Sequence, residues 1–353
     1  MQKMKVIDAF CGAGGLGLGL KQANFEILFS FDIEQKCIET LAANPKYMNH
    51  KFQSIGIKEL INNEIYKYIE LDKGELDLLA GGPPCQGFSV QRTIGGDSDE
   101  RNLLIDDYAQ LISELMPKFF LLENVVGITG KRGIETLNRF KAKMVELGYY
   151  CHQRVIDAQN FGVPQRRKRL IIVGEYSASG RLDFEWPQES LMSAKTVRDT
   201  IAHLPCPPSD GSEYASIKNH RADKLSKKNL ERIMALKPGQ AREDLPENLI
   251  ADCHKLDADK IGHRNVYGRM EWDDVAPTIT ARFDSFTRGK FGHPEQHRSI
   301  SLREGALLQT FPEDYEFIGN KVEVARQIGN AVPVKLAERL GKAIMNALEK
   351  KNV

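Results

Sequence analysis

"KVIDAFCGAGGLGLGL", residues 5–20, passes from a short apolar run into a glycine-rich turn and then into residues at helical spacing. Such a run reads as a buried strand, and the turn brings the chain back along the sheet as a helix. The same rhythm recurs in "EILFSFD" (26–32), "LDLLAGG" (76–82), "KFFLLENV" (118–125) and "RLIIVGEY" (169–176). Between them, Leu16 to Ala23, Glu34 to Ala43, Asn102 to Leu115 and Ile134 to Leu147 carry apolar residues at helical spacing. Strands alternating with helices predict a doubly wound, mostly parallel α/β sheet, whose ligands bind at the carboxyl ends of the strands.

At 353 residues the chain is long for one core, which predicts a large domain with a smaller second lobe. Residues 1–180 form the first. From 181 to 298 the βα rhythm gives way to polar, proline-punctuated sequence such as "HLPCPPSDGSEY" (203–214), read as the second lobe. Residues 299–353 return to the large domain, ending in a helix from Pro333 with Leu336, Leu340, Ile344 and Leu348 four apart. The 49 basic and 48 acidic side chains exclude a globally basic nucleic-acid coat. Residues 218–242 nonetheless hold eight Lys or Arg against Asp223 and Glu231, a run that fits a solvated helix face as well as a local patch. Six cysteines, none in CxxC spacing, predict neither a metal site nor disulfides, and hence a reducing compartment. No segment has the length of a signal peptide core or a membrane span, so a cytoplasmic location is expected.

Several polar groups stand at strand ends. Asp32 closes the second strand after the glycine-rich turn, where a carboxylate accepts from both hydroxyls of a ribose; together they suggest an adenosine-containing cofactor. In "GGPPCQGFSV" (81–90) two prolines fix the exit from a strand and aim Cys85. Glu123 ends the strand expected beside it. In "PQRRKRL" (164–170), directly before the last apolar strand, strand alternation places Arg167 and Arg169 on one face, with Arg166 and Lys168 on the other.

Taken in order, "DAFCGAGG", "GGPPCQGFS", "ENV", "QRRKR", "RSISLREGALLQTFP" and "QIGNAVP" closely resemble the cytosine-5 DNA methyltransferases of bacterial restriction-modification systems. The resemblance covers nearly the whole chain outside about 180–297. It implies a large S-adenosyl-L-methionine-binding domain, a small target-recognition domain and a cleft for double-stranded DNA between them. By the same resemblance Cys85 is the nucleophile and Glu123 the acid on the cytosine edge, while Arg167 and Arg169 hold the base carbonyl and a neighbouring phosphate. Phe10, Gly12, Gly14, Gly15, Asp32, Ile33, Pro84, Asn330 and Val332 border the cofactor. Pro84, Gln86 and Ser89 meet the substrate. One departure stands out: Gly56 of "FQSIGIKEL" occupies the place where the family carries an acid against the adenine amino group.

The polar stretch 89–102, with Gly95 and Gly96 as hinges, reads as a lid contiguous with Cys85. In the second lobe, residues 269–298 mix Arg282, Arg288 and Lys290 with threonines and phenylalanines, and Arg282 and Arg288 are candidate DNA contacts. Four of the eight histidines fall between 254 and 297 at spacings that match no common metal site, so no metal is expected. The expected function is sequence-specific methylation of a flipped cytosine by a monomer paired with a restriction endonuclease. A tRNA cytosine-5 methyltransferase and a non-catalytic DNA-binding regulator of the same fold are the alternatives.

Overall fold

Parallel strands buried on both faces need continuous apolar sequence, and four of the five apolar runs supply the centre of the sheet in this way. The computed structural model of the protein describes residues 3–84, 103–131, 133–190, 194–250 and 266–351. Its seven strands are β1 (Lys5–Ala9), β2 (Glu26–Asp32), β3 (Lys51–Ser54), β4 (Leu78–Gly81), β5 (Phe119–Val125), β6 (Tyr149–Asp157) and β7 (Lys168–Tyr176). They lie in the order β3-β2-β1-β4-β5-β7-β6. Strands β1 to β5 pair in parallel, whereas β7 runs antiparallel to both β5 and β6. The strand order reverses beside β1, so the carboxyl ends of β1, β2 and β4 flank the point where α/β sheets bind ligands.

The chain divides into two compact units. The first comprises Met1–Phe161, Lys168–Glu189 and Val332–Val353; the second comprises Gly162–Arg167 and Ser190–Ala331. The first holds the sheet with α1 (Gly15–Gln22), α2 (Gln35–Ala42), α3 (Leu103–Leu115) and α4 (Ile134–Glu146). Its core joins Ile7, Phe29, Leu79, Ile112, Phe120, Phe140 and Ile172, all essentially inaccessible. The second contains α5 (Val197–Ile201), α6 (Lys227–Met234), α7 (Leu302–Leu308) and α8 (Lys321–Asn330). The sequence suggests a return to the large domain at residue 299, but α7 and α8 fold with the second unit. A buried Arg298–Glu304 ion pair of 2.7 Å ties α7 to the segment that precedes it. The return begins at Val332 and consists of α9 (Val334–Lys351).

Glycines set how closely α9 packs. A Cβ on Gly19 of α1 would lie 2.4 Å from both the Ala337 Cβ and the Val334 carbonyl oxygen, so only a hydrogen leaves room for α9. Arginine does similar work in the second unit. Arg269, 2% exposed, donates to the carbonyls of Ile233, His293 and Gln296, satisfying loop backbone that has no regular ladder to join. No helix among the described residues is long and apolar enough to cross a membrane.

Candidate active site

The turn after β1 is built from backbone that ordinary residues avoid. Gly12 has φ +52° and Gly14 φ +83°, while Phe10, with a side chain, is also left-handed at φ 55°. A left-handed non-glycine residue costs on the order of 1–3 kcal/mol, and such strain collects at ligand clamps. The Phe10 ring is held there against Phe31 and Tyr108, at centroid distances of 6.0 and 6.2 Å. A Cβ on Gly12 would meet nothing within 4 Å, which leaves open space above the turn. Asp32 faces this turn: one carboxylate oxygen accepts from the Gly12 amide at 2.9 Å and the other from the Glu34 amide at 2.9 Å. The next residue, Ile33, is 74% exposed beside them. Phe10, Gly12, Gly14, Gly15, Asp32 and Ile33 thus lie on or beside one turn.

Beneath the turn lies a group that sequence reasoning missed. Asp8 is 1% exposed in the middle of β1, and neither carboxylate oxygen has a well-formed hydrogen bond among the described residues. Burial pushes its pKa up to about 8; the Gly17 backbone amide opposes the rise, and the nearby Asp32 charge adds to it. A Cβ on Gly17 would sit 2.6 Å from Asp8 Oδ2, so the second glycine of "GLGLGL" gives room to this carboxyl. An acid inside an otherwise apolar strand was the available signal.

A second cluster forms where β4, β5 and β7 meet. Glu123 opposes Ile171 and Val125 opposes Arg169, so Glu123 and Arg169 are diagonal neighbours on one face of an antiparallel pair. Their side chains, 12% and 14% exposed, make an ion pair of 2.8 Å between Arg169 Nε and Glu123 Oε1. The other Glu123 oxygen points at the entrance of the Pro-Pro-Cys loop, 3.2 Å from where a Cβ on Gly82 would be. The neighbouring Asn124 amide donates to the Pro83 carbonyl at 3.2 Å, tying that loop to β5. The Tyr108 hydroxyl bridges the Leu79 and Leu121 carbonyls and so clamps β4 to β5. Pro84 is exposed at the end of this segment; Cys85, Gln86, Ser89 and the 89–102 stretch lie outside the described residues.

Arg167 does not share the face of Arg169. The strand starts at Lys168, so alternation does not extend back to Arg167. Its side chain is 1% exposed, and its guanidinium donates to the carbonyls of Ile279, Gly329 and Ala331 at 2.9–3.0 Å. This bonding fixes the segment before β7 to the end of α8 within the second unit. Asn330 is exposed at that end, whereas Val332 is 7% exposed and largely enclosed. Arg282 and Arg288 are exposed on the second unit, Arg282 in a 3.1 Å pair with Asp284.

The chain is 38% identical over 351 residues to the Type II methylase M.HgiDII of Herpetosiphon aurantiacus, covering 98% of this chain and 96% of that protein. It is 33% identical over 341 residues to the Type II methyltransferase M1.HphI of Haemophilus parahaemolyticus, with 96% and 86% covered. Among solved structures it is similar to a prophage-encoded protein of E. coli described as a DNA modification methyltransferase. The TM-score is 0.70 at 26% identity, over 98% of this chain and all of that one. The family model for C-5 cytosine-specific DNA methylases matches residues 4–346, so the chain belongs to that family and is a DNA (cytosine-5-)-methyltransferase.

Proposed function

We propose that the protein methylates carbon 5 of a cytosine flipped out of one specific sequence in double-stranded DNA, with Cys85 as nucleophile, and that this mark protects DNA from a partner restriction endonuclease. The observation that carries the reading is the Glu123–Arg169 pair of 2.8 Å at the mouth of the Pro-Pro-Cys loop. It offers a carboxyl group and a guanidinium, on one strand pair, to ring nitrogen 3 and the carbonyl oxygen of a cytosine edge.

The family implies S-adenosyl-L-methionine as methyl donor, and the strained, open turn over Asp32 fits its adenosine part. Asp32 is the acceptor for the ribose hydroxyls, with Phe10, Gly12, Gly14 and Gly15 forming the cradle and Ile33 an apolar surface for the base; Asn330 and Val332 belong to the methionine side. When bound, this cofactor supplies an electrophilic methyl group on a sulfonium sulfur. The protein's own task is to make carbon 5 nucleophilic. The Cys85 thiolate forms a bond to carbon 6, and the electron pair released from the 5,6 double bond moves toward carbon 5 and the ring. Glu123 hydrogen-bonds or protonates ring nitrogen 3, stabilising that charge, and Arg169 holds the carboxyl group in place and reaches the base carbonyl. Once carbon 5 carries the methyl group, its proton leaves to water, and elimination of the Cys85 thiolate restores the double bond. Arg167, committed to three backbone carbonyls, acts in this reading by positioning the segment that leads into Arg169. Extrusion of the base costs roughly a few kcal/mol, which binding contacts from Arg282, Arg288 and the 89–102 stretch, with Gln86 and Ser89, help to offset.

Duplex DNA carrying 5-fluorocytosine at the target tests the chemistry, because fluorine cannot leave as a cation and elimination is blocked. The expected product is a denaturation-resistant adduct that requires S-adenosyl-L-methionine, maps to the peptide containing Cys85 and is absent in Cys85→Ala. Turnover without an adduct, or an adduct at another cysteine, refutes the mechanism.

A further inference from the structure

Strands β1, β2 and β3 begin at Lys5, Glu26 and Lys51, at the edge of the sheet opposite the turn over Asp32. A cavity of about 550 Å³ opens there within the first unit, lined by Lys3, Lys5, Lys21 and Lys51 and by Glu26 and Glu70. That size lies in the range of small-molecule sites. Its walls are apolar at the buried Phe25, Ile27 and Ile69, and Tyr68 stacks on Phe29 with ring centroids 4.9 Å apart. Lys3, Lys5 and Lys51 make no ion pair among the described residues, although two glutamates line the same cavity. Lys21, in the last turn of α1, is bonded only to neutral acceptors, the Tyr47 carbonyl at 2.5 Å and Asn49 Oδ1. Burial, and then the Lys3 charge, lower its pKa. His50 lines the cavity too, and burial with the Lys21 charge brings its pKa down to about 4. Its Nε2 pairs with Ser30 Oγ at 2.8 Å, whereas Nδ1 is buried with no hydrogen bond among the described residues. A buried nitrogen of that kind costs folding free energy until a partner bonds to it.

We infer that this cavity binds the phosphate monoester group of a small molecule, with Lys3, Lys5, Lys21 and Lys51 as its cationic partners and the His50 ring as a neutral donor at its wall. Four lysines against two glutamates leave two positive charges uncompensated. A phosphate monoester carries roughly two negative charges at neutral pH, and lysine meets it as a point charge. A carboxylate, or one phosphodiester of a nucleic-acid backbone, brings only a single charge. The cavity is larger than a phosphoryl group, so Tyr68 and the apolar wall are left for the organic part of the ligand. This site is separate from the cofactor turn, because β1 and β2 carry the two at opposite ends.

The full-length protein is titrated calorimetrically with inorganic phosphate and with ribose 5-phosphate, at an ionic strength held constant with sodium chloride. One saturable site is expected, holding ribose 5-phosphate more tightly than inorganic phosphate. Lys51→Gln and, independently, Lys5→Gln should each weaken ribose 5-phosphate about tenfold, whereas Lys51→Arg keeps the charge and should keep most of the affinity. The two lysines stand on different strands, and unfolding midpoints measured without phosphate show that each variant is folded. Absence of saturable binding, inorganic phosphate binding as tightly as the ester, or unchanged affinity in both glutamine variants overturns the inference. Full displacement of ribose 5-phosphate by duplex DNA at an equal concentration of phosphate groups also overturns it, and gives the cavity to a nucleic-acid backbone.

Discussion

Asp8→Asn should remove a pH dependence of folding that the wild-type protein carries at the heart of its glycine-rich turn. The Asp8 carboxyl is fully enclosed, and burial raises its pKa from 3.8 to about 8, so the folded protein keeps a proton that the unfolded chain releases. A raised folded-state pKa means that this residue's stability contribution is complete below pH 3.8 and is lost as the pH climbs through about 8. One proton per molecule corresponds to about 1.4 kcal/mol per pH unit, so between pH 5 and pH 7 the wild type loses about 3 kcal/mol on account of Asp8 alone. That is a large share of the roughly 5–15 kcal/mol typical of a folded domain. Asparagine has the same shape as the protonated acid and does not titrate. Urea unfolding of both proteins at half-unit intervals from pH 5 to pH 7 isolates the effect, since groups not coupled to Asp8 cancel in the difference. The stability of Asp8→Asn relative to wild type should rise steadily with pH, by about 3 kcal/mol over the range. A difference that stays constant within about 0.5 kcal/mol would mean that Asp8 titrates alike in folded and unfolded chains, and the argument for a neutral buried carboxyl would fail. Cofactor binding should survive, because Asp32, which faces the turn, is untouched.

Two further outcomes follow from the same geometry. Glu123→Ala removes the carboxyl paired with Arg169 and is expected to lower the methyl-transfer rate by roughly 10²–10⁴-fold, measured in single turnovers with labelled cofactor; a rate within about threefold of wild type would exclude Glu123 from the chemistry. Gly19→Ala drives a methyl group to 2.4 Å from the Val334 carbonyl and the Ala337 Cβ, and should cost about 1–3 kcal/mol of stability in denaturant unfolding, whereas a neutral effect would show that α9 can move aside.

The apolar runs make the centre of the sheet legible, and the two strands that carry no such run lack it for a physical reason. Both β3 and β6 are edge strands. In β3, "KFQS", the residues alternate between exposed and half-buried, and in β6, "YYCHQRVID", six in succession from Tyr150 to Val155 are half-buried or exposed. A strand with one hydrogen-bonded neighbour and a wetted face need not be apolar, so no hydrophobic signal marks it. The helices α7 and α8 carry a different signal. Ser301 and Asn320 each stand three residues before a glutamate and cap their helices by accepting backbone amides, a spacing visible in the sequence but outweighed there by the irregular residues around it.

The site divides along the same line. Strand ends and glycine turns are local features, so the sequence pattern alone sets Asp32 against the glycine-rich turn, and the resemblance adds Phe10, Gly12 and Gly14. It does not pair Glu123 with Arg169, because that partnership depends on register: β7 returns antiparallel beside β5, and Arg169 falls opposite Val125 rather than opposite Glu123. Alternation along one strand gives the relative faces of its residues, but it does not give the face of the strand beside it or the residue at which pairing starts. Arg167 illustrates the second point. Two positions before Arg169, it would share that side chain's face in an extended strand, yet β7 begins between them at Lys168 and the guanidinium turns to three carbonyl oxygens of the second unit. Two arginines of one short motif thus receive different physical tasks. The buried one satisfies backbone acceptors ahead of the strand; the half-buried one, the second residue of the strand, meets the carboxylate.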